Sequence, residues 1–146
     1  MSNINFFYEE VDFTLDHQSL LIPWIEGIIT RESHKEVSSI NYIFCSDKFL
    51  HKINMEYLGH NTFTDIITFD NSEQEQDIDA DIYISIERVQ ENSREYEVPL
   101  ENELHRVMIH GILHLIGYKD SSNDEKQIIR KKENECLNLL KIQGST

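Results

Sequence analysis

His110 and His114 stand four residues apart in the run Val107-Met108-Ile109-His110-Gly111-Ile112-Leu113-His114-Leu115-Ile116, which is otherwise apolar. On an α-helix that spacing puts both imidazoles on one face, about 6 Å apart along the axis. Two ring nitrogens so placed can hold one transition metal, with Zn–N bonds of about 2.0–2.1 Å. Gly117 follows His114 by three residues, where a glycine can take the left-handed conformation that stops a helix. The reversed chain can then bring Asp120 over the helix end as a third, oxygen ligand. His110, His114 and Asp120 are therefore a candidate metal site with one coordination position open.

The same spacing occurs in zinc peptidases of the H-E-x-x-H-x-x-G-x-x-H type, with one exception. Their general base is the glutamate directly after the first histidine, and here that position is Gly111. Without that carboxylate a peptidase lacks the group that takes a proton from the metal-bound water. The ligand geometry points to different chemistry, and no residue is an evident general base. His60 could reach a cleft from its turn-like segment, although it reads first as a surface histidine. Tyr118 could donate to a phosphate or pack beside the helix end. His17, His34, His51 and His105 read as structural or exposed.

These side chains need a helix to carry them and a core to hold that helix. Pro99 starts it, with Glu101 and Glu103 placed favourably at its positive end. Leu100, Leu104, Val107, Met108, Ile112, Leu113 and Ile116 cover most of its circumference, which predicts a buried central helix. Burial makes two histidines costly unless something pairs with them, and a metal would do that.

Before it, Ile4 to Glu9 reads as a first strand and Gln18 to Ser33 as a helix, with Leu21, Trp24, Ile25, Ile28 and Ile29 inward. Pro23 is expected in the first turn of that helix, where its missing N–H costs nothing. Val37 to Cys45 reads as a second strand, apolar on both faces. Ser46 should cap a helix from Asp47 to about Tyr57. Asp65 to Phe69 reads as a third strand, Asn71 to Asp79 as an acidic, solvated hairpin loop, and Asp81 to Ile86 as a fourth strand. A short helix to about Tyr96 follows, opened by Ser85 or Glu87. After Asp120, Ser122-Asn123-Asp124-Glu125 is a capping box for a last helix to about Ile142. Its inward residues should be Ile128, Ile129, Cys136, Leu139 and Leu140.

Composition bounds the function class. The 146 residues are 39% hydrophobic, enough for one globular domain with a sizeable core. No apolar run approaches the roughly 20 residues that span a membrane. The first residues, Met1 to Phe6, carry neither a basic region nor an apolar signal core, so a cytoplasmic protein is expected. Cys45 and Cys136 fit no metal or redox spacing and read as buried thiols. The net charge of −14 argues against indiscriminate nucleic-acid binding, which depends on Lys and Arg neutralising phosphates. It leaves room for a site where a metal and a few local cations meet an RNA strand.

The segment His110-Gly111-Ile112-Leu113-His114-Leu115-Ile116-Gly117-Tyr118-Lys119-Asp120 resembles the H-G-x-L-H-L-x-G-Y-D-H motif of the YbeY endoribonucleases. Thr64-Asp65-Ile66-Ile67-Thr68-Phe69 resembles the family's T-D-V-L-S-F strand, and Asp81-Ile82-Tyr83-Ile84-Ser85 its G-D-I-x-I-S strand. Glu103-Leu104 matches the E-L that precedes the metal helix. The resemblance implies an α+β fold forming one domain over residues 1–146. A mixed four-stranded sheet with flanking helices would carry a buried, zincin-like metal helix. It also implies one Zn2+ per chain, or another divalent transition metal, and single-stranded RNA as substrate. The RNA would be an rRNA precursor, with the ribosome or ribosomal proteins as partners and neither membrane nor DNA involved.

Two departures from the family pattern matter. The third ligand is histidine in the family and Asp120 here, which would make the site harder and more open to oxygen-tolerant metals. The family's Y-R-G reads Tyr57-Leu58-Gly59 here, and Leu58 cannot neutralise a phosphate. The leading expectation is a metal-dependent endoribonuclease of small-subunit rRNA 3′-end maturation and ribosome quality control. The alternatives are a weakly or non-catalytic ribosome-assembly factor and a zinc peptidase.

Overall fold

The strand β1 (Ile4–Glu9) turns Ile4, Phe6 and Tyr8 inward and exposes Asn5, Phe7 and Glu9, the two-residue period of a half-covered strand. The computed structural model to which it belongs describes residues 3–140. Helix α1 (Gln18–Glu32) returns the chain so that β2 (Glu36–Cys45) pairs with β1 in parallel. Helix α2 (Asp47–Leu58) leads to β3 (Ile66–Asp70), which pairs antiparallel with β4 (Asp77–Ser85), and β4 pairs in parallel with β2. The sheet order is β1-β2-β4-β3. Helices α3 (Ile86–Glu95), α4 (Leu100–Leu115) and α5 (Asn123–Leu139) complete the chain. This is the expected α+β fold with a mixed four-stranded sheet.

Two apolar clusters show how the layers stack. The larger joins α1, α4 and α5 to one face of the sheet through Tyr42, Phe44, Ile82 and Ile84. The smaller puts Leu50 of α2 with Cys45 and Ile67 on the other face. The second half of β2 is therefore buried on both sides, as its unbroken apolar run predicts. Ser46 caps α2 by accepting from the Phe49 N–H, and Ser85 caps α3 by accepting from the Arg88 N–H. The capping box on α5 forms between Ser122 and Glu125.

Helix α4 lies close against the sheet. A Cβ on Gly111 would sit 3.1 Å from Ile66 Cδ1 and 3.2 Å from Thr68 Oγ1. From β2 of the same sheet, the buried Tyr42 hydroxyl donates to the Met108 carbonyl at 3.0 Å. Trp24 Nε1 donates to the Cys136 carbonyl at 2.9 Å and ties α1 to α5.

Three local expectations are corrected. Pro23 is the sixth residue of α1 and not in its first turn. It lies on the exposed face together with Ser19, the residue whose carbonyl loses its helical donor, so water can supply the missing bond. The acidic loop is shorter than its composition suggests, because β4 begins at Asp77. Asp77, Asp79 and Asp81 alternate with the buried Ile78, Ala80 and Ile82, so the carboxylates mark the outer face of a strand. On α5, Ile128 and Leu139 are exposed and the buried stripe is Ile129, Glu133 and Cys136. The expected end of this helix at Ile142 lies outside the described residues.

His105 is buried beside Trp24, and its Nε2 has no hydrogen-bond partner among the described residues. Burial, then the nearby His17, lowers its pKa to about 4. Below the ordinary pKa of about 6.5 the unfolded chain takes up a proton that the folded chain refuses. Stability should thus fall as the pH drops from 6.5 towards 4, by about 3 kcal/mol from this residue. Urea unfolding across that range should show the loss in the parent and a shallower one in His105→Phe. Parallel pH profiles would remove His105 as the cause.

Candidate metal centre

The end of α4 has the geometry that its glycine predicts. Gly117 has φ +113°, its N–H donates to the His114 carbonyl, and the Tyr118 N–H donates to the Leu113 carbonyl at 2.9 Å. This pair of bonds reverses the chain directly after the helix. The reversal brings the Tyr118 carbonyl to His114 Nδ1 at 3.0 Å, and Asp120 over the two rings. His110 Nδ1 is held by Glu133 Oε2 of α5 at 2.6 Å.

With both Nδ1 atoms facing acceptors, each Nδ1 carries the proton and each Nε2 is left with a lone pair. The two Nε2 atoms then face each other at 2.9 Å, and Asp120 Oδ2 lies 3.4 Å from one and 3.3 Å from the other. With both rings neutral, these three electron-rich atoms repel unless a cation lies among them. Ligands about 2.0–2.1 Å from a tetrahedral ion stand about 3.3–3.4 Å apart. Two of the three separations match that spacing, and the shorter one needs only a narrower N–metal–N angle. The donor set fits a divalent transition metal, and the three ligand atoms all lie within 4.8 Å of one another.

Charge around the centre is arranged by the buried Glu133. It accepts from Arg106 at 3.1 Å as well as from His110. Burial alone would raise its pKa, but the His110 hydrogen bond and charge, followed by Arg106, outweigh this and lower it. For His110, burial opposes the charged ring, yet Glu133, Asp120 and Asp65 together raise its pKa. Asp65 is pushed up by burial, which the nearby His110 only partly offsets.

A cleft of about 610 Å³ opens over the rings and is walled by α2, the loop after it, β3 and the end of α4. His60 and Leu58 both lie on its wall, so His60 reaches the cleft while remaining exposed. Tyr118 does not face it as a phosphate donor, because its hydroxyl donates to Glu32 at 3.1 Å. His51 is spent on Asn61 and on stacking with Phe63.

Glu133, Arg106 and the position of Asp65 escaped the sequence reading. One signal for Glu133 was present. It falls between Ile129 and Cys136 at helical spacing, and a carboxylate in a buried stripe needs a polar partner on the helix it faces.

The sequence profile of the family described as "Endoribonuclease YbeY" matches residues 3–141. The chain is 48% identical over 139 residues to the endoribonuclease YbeY of Flavobacterium psychrophilum, covering 95% of this chain and 97% of the relative. It is 45% identical over 140 residues to that of Flavobacterium johnsoniae, covering 96% and 99%. A solution structure of TM1509 from Thermotoga maritima has a TM-score of 0.63 at 27% identity, covering 91% of this chain and 87% of that one.

Zinc affinity, measured by competition with a chromophoric chelator, should report each contact at the centre. Asp120→Ala should bind zinc at least about tenfold more weakly, and Asp120→His as tightly as the parent or tighter. Glu133→Gln, which keeps the shape but removes the charge behind His110, should weaken binding about tenfold. Equal affinities in all four proteins would remove Asp120 and Glu133 from the site.

Proposed function

The chain belongs to the YbeY family of endoribonucleases, and on that premise we propose that it cleaves single-stranded RNA with a metal held by His110, His114 and Asp120. Its substrate in this reading is precursor rRNA, in 3′-end maturation of the small subunit and in ribosome quality control. Its setting is the cytoplasm and its partners are the ribosome or ribosomal proteins. Zn2+, one per chain, is the expected metal, with other divalent transition metals competing because one ligand is a carboxylate. No described helix is long and apolar enough to cross a membrane.

The observation that carries this reading is the pair of Nε2 atoms facing each other at 2.9 Å while both Nδ1 atoms are occupied. A metal held there would supply Lewis-acid polarisation of a phosphodiester oxygen and would lower the pKa of a bound water. The chain's own residues do the rest. Glu133 and the Tyr118 carbonyl fix the two ring orientations, and Asp120 tempers the positive charge. His110 and His114 are ligands in this scheme and not acid–base groups.

Packing disfavours the peptidase alternative. The position that would hold the peptidase glutamate is Gly111, where even a Cβ meets Ile66 and Thr68 at 3.1 and 3.2 Å. One observation favours a second reading, an assembly factor that binds rRNA and cleaves weakly. Leu58, in place of the family's arginine, is 44% exposed on the wall of the cleft and offers a phosphate nothing.

Labelled single-stranded RNA incubated with zinc- or manganese-loaded protein separates the two. The intact protein should cleave it, and His114→Ala, purified in parallel, should lose at least about a hundredfold in rate as the metal is lost. Equal traces in both samples, with metal confirmed in the intact protein, would leave the assembly factor as the better account.

A further inference from the structure

The large cleft over the rings has no lysine or arginine on its wall. Its charged side chains are Asp65, Asp70 and Asp120, a poor surface for a phosphate backbone. A second cavity of about 330 Å³, between α3, α4 and α5, shares Asp65, Ile66, His110 and Asp120 with it. The candidate ligands His110 and Asp120 thus stand where the two spaces meet. This second cavity sets three cations, Arg106, Lys126 and Arg130, beside the carboxylates Asp65, Glu103, Asp120 and Glu133.

Arg106 is committed to Glu133 and Asn134. Lys126 and Arg130 are exposed, one helical turn apart on α5, and Arg130 meets Glu133 only at 3.6 Å. Their face continues outward as a shallow groove that includes Lys131. Of the four carboxylates on the cavity wall, Glu133 is paired with His110 and Arg106, Asp65 accepts from Asn92 at 3.4 Å, Glu103 is buried, and Asp120 belongs to the candidate metal centre. At the end of α3, Tyr96 also lines this cavity and is 52% exposed.

The distribution of charge along the chain agrees. Residues 106–146 hold seven Lys and Arg against five Asp and Glu, a formal +2, whereas residues 1–105 hold six against 22, a formal −16. The overall acidity hides a cationic segment, and that segment includes all three candidate metal ligands.

We propose that the α3–α4–α5 cavity is a subsite for single-stranded RNA on one side of the bond to be cut, with Lys126 and Arg130 on backbone phosphates and Tyr96 stacked on a base. A cationic track joined to an exposed aromatic platform is the arrangement that holds single strands with little sequence preference. It places the phosphate contacts on the face of the centre opposite Leu58. The proposal rests on the endoribonuclease reading above, and its test separates the two.

Cleavage kinetics of the zinc-loaded protein should be read together with fluorescence-anisotropy binding of the same RNA in a His114→Ala background. The double variant K126Q/R130Q should raise Kd and KM about tenfold or more and lower the slope of log K against log salt by about 1.4, the value for two phosphate contacts. Its kcat and zinc content should stay within about twofold of the parent, since charge-track contacts hold the strand without touching the reacting atoms. Tyr96→Ala should weaken binding about fivefold or more without changing the salt slope. The matched control K35Q/K48Q removes two cations that do not line the cavity and should change neither constant. Cleavage by the intact protein combined with an unchanged Kd and salt slope in K126Q/R130Q would overturn the subsite and leave the enzyme standing. An intact protein that neither binds nor cleaves RNA would overturn the endoribonuclease reading, and the subsite with it.

Discussion

The closeness of α4 to the sheet sets the position of everything else at the centre. At Gly111 the helix backbone comes so near β3 and β4 that a methyl group would press on Ile66, Thr68 and Ile82. Tyr42, from the same face of the sheet, fixes the helix about one turn earlier by its hydroxyl bond to the Met108 carbonyl. A helix held this tightly cannot rotate to adjust its histidines. His110 and His114 therefore emerge at a fixed angle at the edge of the contact, and their partners have to come to them. The tight seat also has a chemical consequence. A residue with a carboxylate beside the first histidine cannot share the place where the helix is pressed against the sheet.

The partners arrive from three directions. The left-handed turn at Gly117 brings the Tyr118 carbonyl and Asp120 back over the helix end. Helix α5 brings Glu133 into the interior, where Arg106 and His110 offset the cost of burying its charge. The sheet supplies Asp65 at the start of β3, near enough to feel the His110 charge. Each contribution is stabilised by a different part of the fold, so the convergence of the two ring nitrogens with one carboxylate is a property of the tertiary structure. With both rings neutral, the same convergence brings three acceptors together and favours a cation among them.

Charge is segregated rather than balanced. The acidic residues that dominate the composition lie largely before Arg106, including the outer face of β4 and the loop before it. The cations that could meet an anionic polymer gather on α5, next to the centre. Net charge is a sum over the whole surface, while an RNA strand responds to the local field within about a Debye length. A formal charge of −14 and a phosphate-handling centre are thus compatible in one small domain.

Much of this was readable in the chain before folding. The i, i+4 histidines, Gly117 and Asp120 predicted which side chains would come together at the helix end, because helical spacing and glycine's access to positive φ are local properties. The caps at Ser46, Ser85 and Ser122 and the four strands followed from equally local rules. What the sequence could not settle involved contacts across long separations. Glu133 is 23 residues from the histidine that it holds, and only the packing of α5 on α4 makes them neighbours. Asp77 and Asp79 looked like loop residues until pairing with β2 showed them as one face of a strand. Ile128 looked like core until Glu133 took the inward side of α5. Gly111 was visible as a missing glutamate, but its reason, the side chains of β3 and β4 pressed beneath it, belongs to the tertiary structure alone. Local periodicity determines which residues share a face, and only long-range packing decides what that face meets.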